Sequence, residues 1–354
     1  MNLKKIPATI VTGFLGSGKT TLLSNILKNA QGKRIAVIVN EFGAVDIDAA
    51  LLKGCALGCE DEQQLDEGIY ELANGCICCT VQEEFHPVMQ KLVERRKDID
   101  HILIETSGLA LPKPLVQAFN WPDIKNYCTV DAVVTVVDGP ALAAGTFAID
   151  PEAVAKQRVA DENLDHESSL QELFDDQLSA ADLVVVSKSD LLSQSQSVEV
   201  ESILHDQLPD IVKVISVTAG KIDSRILMGL DAAAEDRIEQ LTTHHDRHHE
   251  HDERHEHAHE AFDSVTFEAK NVDSEQLLEA LKTFVAQNTV YRVKGILSLK
   301  GKPFRQVVQG VGNRFEVYFE NRWEDDEERG TKVVLIGKNL DERAVKSHLE
   351  ACIP

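Results

Sequence analysis

The sequence predicts an α/β fold: a doubly wound, mostly parallel sheet followed by a smaller α+β domain. Three observations carry this expectation. Through the first two thirds of the chain, apolar runs without polar alternation are separated by stretches with a period near 3.6, as expected of parallel strands covered on both faces by helices. The first apolar run leads into a glycine-rich loop and then a helical stretch. After residue 261 the pattern changes to short strands with two amphipathic helices, which is a second, smaller layer arrangement.

In chain order, Ala8 to Thr12 reads as the first strand and Thr21 to Ala30 as the first helix. Further strands fall at Ile35 to Val39, His101 to Ile104, Ala132 to Val137, Leu183 to Val186 and Val212 to Val217, with a helix over Val88 to Arg95. The run Val133-Val134-Thr135-Val136-Val137 has the continuous apolar character of a strand buried on both sides. The segment His244 to Glu260 holds eight of the 13 histidines, six acids and no aliphatic residue larger than alanine. It has nothing with which to form a core and reads as a solvated linker. Beyond it, Val265 to Glu268, Val290 to Leu299, Phe304 to Val311, Arg314 to Phe319 and Lys332 to Ile336 read as strands. Ser274 to Ala286 and Asp341 to Ala351 read as helices. The predicted domains are therefore 1–235 and 262–354, joined by a His- and acid-rich linker over 236–261.

The 354 residues suit two domains at about 150 residues each. With 59 acidic and 36 basic side chains the formal charge is −23. Such a chain repels phosphate backbones and anionic lipid headgroups, so neither a nucleic acid nor a membrane surface is the expected partner. No run approaches the roughly 18 uncharged apolar residues of a membrane span. Met1 to Leu15 carries no signal-cleavage pattern, so a cytoplasmic location is expected. Five of the seven cysteines, Cys55, Cys59, Cys76, Cys78 and Cys79, fall within 25 residues. That crowding in a reducing compartment points to metal rather than to disulfides.

Gly13-Phe14-Leu15-Gly16-Ser17-Gly18-Lys19-Thr20 satisfies the phosphate-loop pattern G-x-x-x-x-G-K-[ST] between a strand and a helix. Gly13, Gly16, Ser17 and Gly18 let backbone N–H groups curl around phosphates, and the helix N-terminus adds partial positive charge. Lys19 is expected at the β- and γ-phosphates and the Thr20 hydroxyl on Mg²⁺. A second segment, Ser187-Lys188-Ser189-Asp190, follows a buried strand. It places a carboxylate beyond the strand's C-terminal edge, where open α/β sheets bind ligands. Asp190 is suited to accept the N1 proton and exocyclic amine of guanine, which selects GTP. Such motifs usually begin with Asn where this chain has Ser187, and a plain helix cap at Ser189 or Asp190 is the alternative. In a third segment, Glu105-Thr106-Ser107-Gly108, Glu105 suits the outer shell of Mg²⁺ and the Gly108 N–H suits the γ-phosphate. No glutamine follows Gly108 to position water, so slow intrinsic hydrolysis is expected.

Asn74-Gly75-Cys76-Ile77-Cys78-Cys79 places three thiols within four residues. In extended backbone Cys76 and Cys78 face one way and Cys79 the other, so three thiolates meet one ion only if the chain turns there. Two thiolates with an outside ligand, a redox pair, or buried thiols without a role are the other readings. Thiolates suit Zn²⁺, Co²⁺ and Cu⁺ and do not suit Mg²⁺. Glu41, in Asn40-Glu41-Phe42-Gly43 at the end of the second strand, is placed to link the nucleotide's Mg²⁺ or the attacking water to the cysteine site. A solvated strand-end carboxylate is the plainer account. The histidine run suits weak metal chelation or simple solubility.

Together GFLGSGKT, NEFG, GCICC, ETSGLALP and SKSD resemble the metal-trafficking P-loop GTPases of the CobW family. Its relatives include zinc-delivering GTPases and the nickel-inserting urease and hydrogenase accessory GTPases. Val293-Lys294-Gly295, Gln309-Gly310-Val311 and Val333 to Gly337 resemble the family's C-terminal domain. Within the family the chain is most similar to the member of cobalamin synthesis. The insert from Lys53 to Cys59, the sequence Glu71 to Val81 and the long acidic segment between Asp138 and Asp182 carry that likeness. The resemblance implies a Co²⁺ chaperone serving cobaltochelatase, with a Zn²⁺ chaperone for client metalloenzymes as the alternative. It also implies that Gly13 to Thr21, Thr21 included, bind the phosphates, Lys188 and Asp190 the base, and Cys76, Cys78 and Cys79 the transferred metal. In the expected mechanism GTP and Mg²⁺ hold the Glu41 and cysteine segments in one arrangement that hydrolysis releases. Two rivals come from other classes: a P-loop kinase for a small metabolite, and a passive buffer in which histidines bind the metal.

Overall fold

The computed structural model describes residues 4–30, 33–40, 69–72, 85–148, 150, 152, 154, 169–228, 262–323 and 329–353. Glu41, Cys55, Cys59, Cys76, Cys78, Cys79 and the histidine run lie outside these residues. The chain divides into two compact units, residues 1–228 with 311–314, and residues 229–310 with 315–354.

Among the described residues the first unit is built on seven strands: β1 (Ile6–Thr12), β2 (Ile35–Asn40), β3 (Ile69–Leu72), β4 (His101–Glu105), β5 (Cys128–Asp138), β6 (Leu183–Ser187) and β7 (Lys213–Ser216). They lie in the order β3-β2-β4-β1-β5-β6-β7, and all six neighbouring pairs are parallel, with Ile10 facing Ile104 on one side and Val133 on the other. The helices are α1 (Lys19–Lys28), α2 (His86–Glu94), α3 (Pro112–Ala118), α4 (Pro122–Lys125), α5 (Gly139–Ala143), α6 (Leu170–Ser179), α7 (Gln194–Gln207) and α8 (Ser224–Met228). Side chains of alternating direction along the strands are equally buried: Ile10 and Val11, Val133 and Val134, Val184 and Val185 are all 0% exposed. This is the two-sided burial expected of parallel strands, and each such aliphatic side chain contributes about 1.5–3 kcal/mol of transfer free energy.

Two packed clusters brace the sheet. One sets Met89, Leu92, Leu115 and Phe119 against Ile10, Ile38 and Ile104. The other sets Leu173, Phe174, Leu178, Val200 and Leu204 against Val137, Val184 and Val186. Two helices start where the sequence provides a reciprocal cap. Ser169 and Glu172 cap α6, and Ser193 and Gln196 cap α7, each side chain bonded to the other's backbone N–H.

Two strands differ from the sequence expectation. β5 begins at Cys128 rather than Ala132. Its first residues include Thr129 and Asp131, which break the apolar run; Cys128 to Val130 still pair with β1 from Ile6 to Ala8, and Asp131 is passed over at a local register shift. β3 spans Ile69–Leu72, where no strand is expected from the sequence, and its backbone pairs in parallel with β2 from Val37 to Asn40.

The second unit carries β8 (Asp263–Ala269), β9 (Val290–Leu297), β10 (Phe304–Val311), β11 (Arg314–Arg322) and β12 (Thr331–Gly337) in the order β11-β10-β9-β12-β8. The pairings β9–β10, β9–β12 and β8–β12 are antiparallel. Two helices, α9 (Ser274–Gln287) and α10 (Glu342–Glu350), bury Leu277, Leu281, Phe284, Val345 and Leu349. Asp273 and Asp341 cap them. Among the described residues no helix is long and apolar enough to cross a membrane.

Candidate nucleotide site

Three loops meet at the C-terminal edge of the parallel sheet, where β1 has β4 on one side and β5 on the other. The first follows β1. Gly13, Gly16 and Gly18 have φ of 137°, 77° and 96°, a region that side chains with a Cβ rarely enter. At Gly13 a Cβ would also stand 2.1 Å from the Val136 carbonyl oxygen, so no other residue fits. Gly18 hands over to α1, whose first turn carries no side-chain cap. Its N–H groups therefore stay available at the positive end of the helix. Ser17 Oγ is buried and has no hydrogen-bond partner, a polar cradle suited to a phosphate oxygen. Lys19, 7% exposed, donates from Nζ to the carbonyls of Gly13 (2.7 Å) and Phe14 (3.1 Å) across the same loop.

The second loop follows β4. The Thr20 hydroxyl donates to Glu105 Oε1 at 3.1 Å, and Glu105 is 8% exposed. A hydroxyl beside a buried carboxylate at a phosphate loop is an all-oxygen donor set, which fits Mg²⁺ and not a thiophilic ion. Thr106 N–H donates to the Val11 carbonyl, and Ala110 N–H to that of Ser107, so Gly108 lies on a bend held at both ends.

The third loop follows β6. Lys188 takes a left-handed conformation, φ 56°. Its ammonium reaches Gly16 O at 2.8 Å and the Asp138 carboxylate at 2.5 Å. Asp138 ends β5, where its other oxygen accepts the Ala141 N–H at the start of α5. Ser187, the departure from the usual Asn, donates from Oγ to Ser17 O at 2.6 Å. Its short side chain thus ties the third loop directly to the first. Ser189 to Leu191 form one 3-10 turn without a side-chain cap, and the next helix is capped by Ser193. Neither Ser189 nor Asp190 serves as a cap, and Asp190 is exposed at the sheet edge.

Lys19, Thr20, Glu105 and Lys188 are therefore brought together with Gly13, Gly16, Ser17, Gly18 and Gly108, while Thr21 is exposed on the first turn of α1. Glu41 and the three clustered cysteines lie outside the described residues. Among the described residues no group of three or more His, Cys, Asp or Glu could hold a metal ion. Cys128 and Cys352 are free and buried. Burial pushes the Cys128 thiol up to about 12, and it begins β5, roughly 33 Å of strand from Asp138.

Sequence reasoning missed three participants. Asp138 sits before Gly139-Pro140 at the end of an apolar run, and a lone acid in that place is a readable signal. Phe14, inside the phosphate loop, stacks with Phe147 at 5.9 Å and approaches Phe174 at 6.1 Å between ring centroids. Gln177, on α6, bonds the loop after β4; nothing in the local sequence marks it.

Residues 7–216 match the family described as CobW/HypB/UreG, nucleotide-binding domain. Residues 262–353 match the Cobalamin synthesis protein cobW C-terminal domain. The chain is 54% identical over 351 residues to the zinc chaperone CobW of Pseudomonas aeruginosa, covering 99% of this chain and 92% of that protein. It is 47% identical over 354 residues to the zinc chaperone CobW of a Sinorhizobium species, covering 99% and 98%. To the zinc chaperone YjiA of Escherichia coli it is 27% identical over 357 residues, covering 98% of each.

Proposed function

The chain belongs to the CobW family of metallochaperone P-loop GTPases, and from that premise we propose that it loads and delivers Zn²⁺ under the control of GTP. GTP is its substrate for hydrolysis, and a metal-receiving client protein is the partner. The sequence alone favoured Co²⁺ and cobaltochelatase. The zinc alternative is the better supported, because two relatives matched over nearly their full length carry zinc in their names. Thiolate chemistry does not separate the two ions, and on the general affinity order Zn²⁺ binds at least as tightly.

The observation that carries the nucleotide half is the Thr20–Glu105 contact at the head of α1. Thr20 and Glu105 would hold Mg²⁺, which when bound neutralises charge on the β- and γ-phosphate oxygens. The Gly13–Gly18 backbone and Lys19 cradle the phosphates, the Gly108 N–H faces the γ-phosphate, and Asp190 accepts from guanine while Lys188 braces its loop. With no glutamine after Gly108, intrinsic hydrolysis is slow. For the cargo half, Cys76, Cys78 and Cys79 with Glu41 are the proposed zinc ligands. Thiolate ligands with one carboxylate suit a tetrahedral zinc site.

A chelator competition on the protein loaded with Mg²⁺ and a non-hydrolysable GTP analogue tests this reading. Wild type should retain one Zn²⁺ tightly, and Cys78→Ser should weaken it by at least about 100-fold while leaving nucleotide binding intact. Equal zinc retention in both would remove the cysteine site from the account. Tighter retention of Co²⁺ than of Zn²⁺ in the same assay would restore cobalt as the cargo.

A further inference from the structure

Gln177 stands in the last turn of α6 with 0% exposure, on the helix that also buries Leu173, Phe174 and Leu178. A primary amide in such a place costs stability unless its polar atoms are paired. Here the pairing is one-sided. Nε2 donates to the carbonyls of both Gly108 and Ala110, each at 3.1 Å, while Oε1 is buried with no partner. An aliphatic side chain would fill the space without leaving that oxygen unpaired. What the amide adds is a grip on two carbonyls of the loop that follows β4.

That loop needs a grip. Gly108 is its residue of greatest backbone freedom, and the peptide planes on either side of it decide where the neighbouring N–H groups point. Fixing the Gly108 carbonyl toward α6 fixes the rigid peptide plane that carries the Leu109 N–H, and the Ser107 carbonyl, held by the Ala110 N–H at 3.1 Å, sets the plane that carries the Gly108 N–H. The helix that does this is itself anchored. The Thr135 hydroxyl of β5 donates to the Gln177 carbonyl at 2.9 Å. One turn earlier, on the same helix face, Phe174 packs 6.1 Å from Phe14 of the phosphate loop. A single helix thus spaces the phosphate loop from the Gly108 loop.

We propose that Gln177 is a positioning residue for GTP hydrolysis: it holds the Gly108–Ala110 backbone so that the loop's N–H groups meet the γ-phosphate. The inference rests on the reading of the Gly108 N–H given above. It predicts that Gln177 governs discrimination between tri- and diphosphate and leaves the binding they share untouched.

The test uses the full chain with Gln177→Glu, which keeps the volume and leaves at most one donor for the two carbonyls, Gln177→Met, which loses both polar atoms, and Gln177→Asn, which draws the amide back by one methylene. For each, affinities for GDP and for guanylyl imidodiphosphate are measured with Mg²⁺, and kcat for GTP is followed. The expected result is a fall of about tenfold or more in analogue-over-GDP preference, the loss of two hydrogen bonds, with a lower kcat and GDP affinity within twofold. Equal weakening of both nucleotides, no change in either, or loss of GDP binding in all three variants would overturn the proposal, since the amide would then serve the core alone. Gly108→Pro, which removes the N–H, separates the two readings. If it loses analogue preference while the Gln177 variants keep theirs, Gln177 is not the positioning residue. If Gly108→Pro also keeps the preference, the Gly108 reading itself falls.

Discussion

Replacing Lys188 with methionine should destabilise the nucleotide-free protein by about 2 kcal/mol. The magnitude follows from the surroundings of its ammonium, which lies 2.5 Å from the Asp138 carboxylate and 2.8 Å from Gly16 O. The Asp138 side chain is 1% exposed and that of Lys188 31%. Breaking a fully buried pair by removing one partner costs about 3–5 kcal/mol, and an exposed pair contributes about 0–1 kcal/mol. Water can reach the gap that the lysine leaves, which puts the expected loss between those limits. For a unit of this size about 2–4 °C of melting temperature accompanies each kcal/mol, so a drop of about 4–8 °C is expected. Adding Asp138→Asn removes the stranded charge while keeping an oxygen for the Ala141 N–H, and should restore about half of the loss. Because the Lys188–Gly16 contact braces the phosphate loop away from the γ-phosphate, GDP and a GTP analogue should weaken together. Thermal melts of the full chain and nucleotide titrations of both variants check this. A Lys188→Met melt within about 1 °C of wild type, or a double variant no better than the single one, would refute the reasoning.

Glu105→Ala should lower GTP turnover about 10–100-fold at a fixed Mg²⁺ concentration, the usual loss when a group that orients a metal ligand is removed; a Mg²⁺ titration of hydrolysis checks it, and an unchanged titration would contradict the Thr20–Glu105 reading. Cys128, its thiol pushed to about 12 by burial, should hold about one part in 10,000 as thiolate at pH 8. Iodoacetamide followed by mass spectrometry should therefore label it only after unfolding. Hydrogen bonds from Arg34, at 2.8 and 3.0 Å, hold the Asp100 carboxyl below the usual carboxylate range. A carboxyl whose folded value is depressed adds stability above its unfolded value of about 3.9, and loses it as pH falls through the lower folded value. The Arg34 side chain is 54% exposed and that of Asp100 22%, so solvent screens the pair and at most about 1 kcal/mol is involved. The melting-temperature gap between wild type and Arg34→Met should be present at pH 7 and should close as pH falls below about 4.

The site was legible in the sequence wherever its chemistry is contiguous. Gly13 to Thr20 can be read directly, because three left-handed glycines, a lysine and a hydroxyl must follow one another to wrap a phosphate. The same holds for β1, β4 and β6, whose apolar runs are short and unbroken. What the sequence could not display are partners brought together by the sheet order. Ser187 looked like a weakened base motif, and its bond to Ser17, 170 residues away, becomes visible only when β6 and β1 flank β5. Gln177 falls in the acidic segment between Asp138 and Asp182, where the sequence pattern yields no element, and its targets lie 67 and 69 residues earlier. The start of β5 was lost because Thr129 and Asp131 interrupt its pattern, although backbone pairing with β1 does not depend on side-chain polarity. Cobalt was favoured because a thiolate set admits more than one borderline-soft ion, so the choice fell to likeness rather than to chemistry.

The central claim is that the γ-phosphate sets the affinity of the chain for its cargo, and its most direct test is the zinc dissociation constant in two nucleotide states. Competition against a chromogenic chelator, with the protein saturated by Mg²⁺ and either guanylyl imidodiphosphate or GDP, measures both. Zinc should bind more tightly with the analogue by about tenfold or more, and analogue affinity should rise by the same factor when zinc is bound. The same zinc affinity in the two states would contradict it.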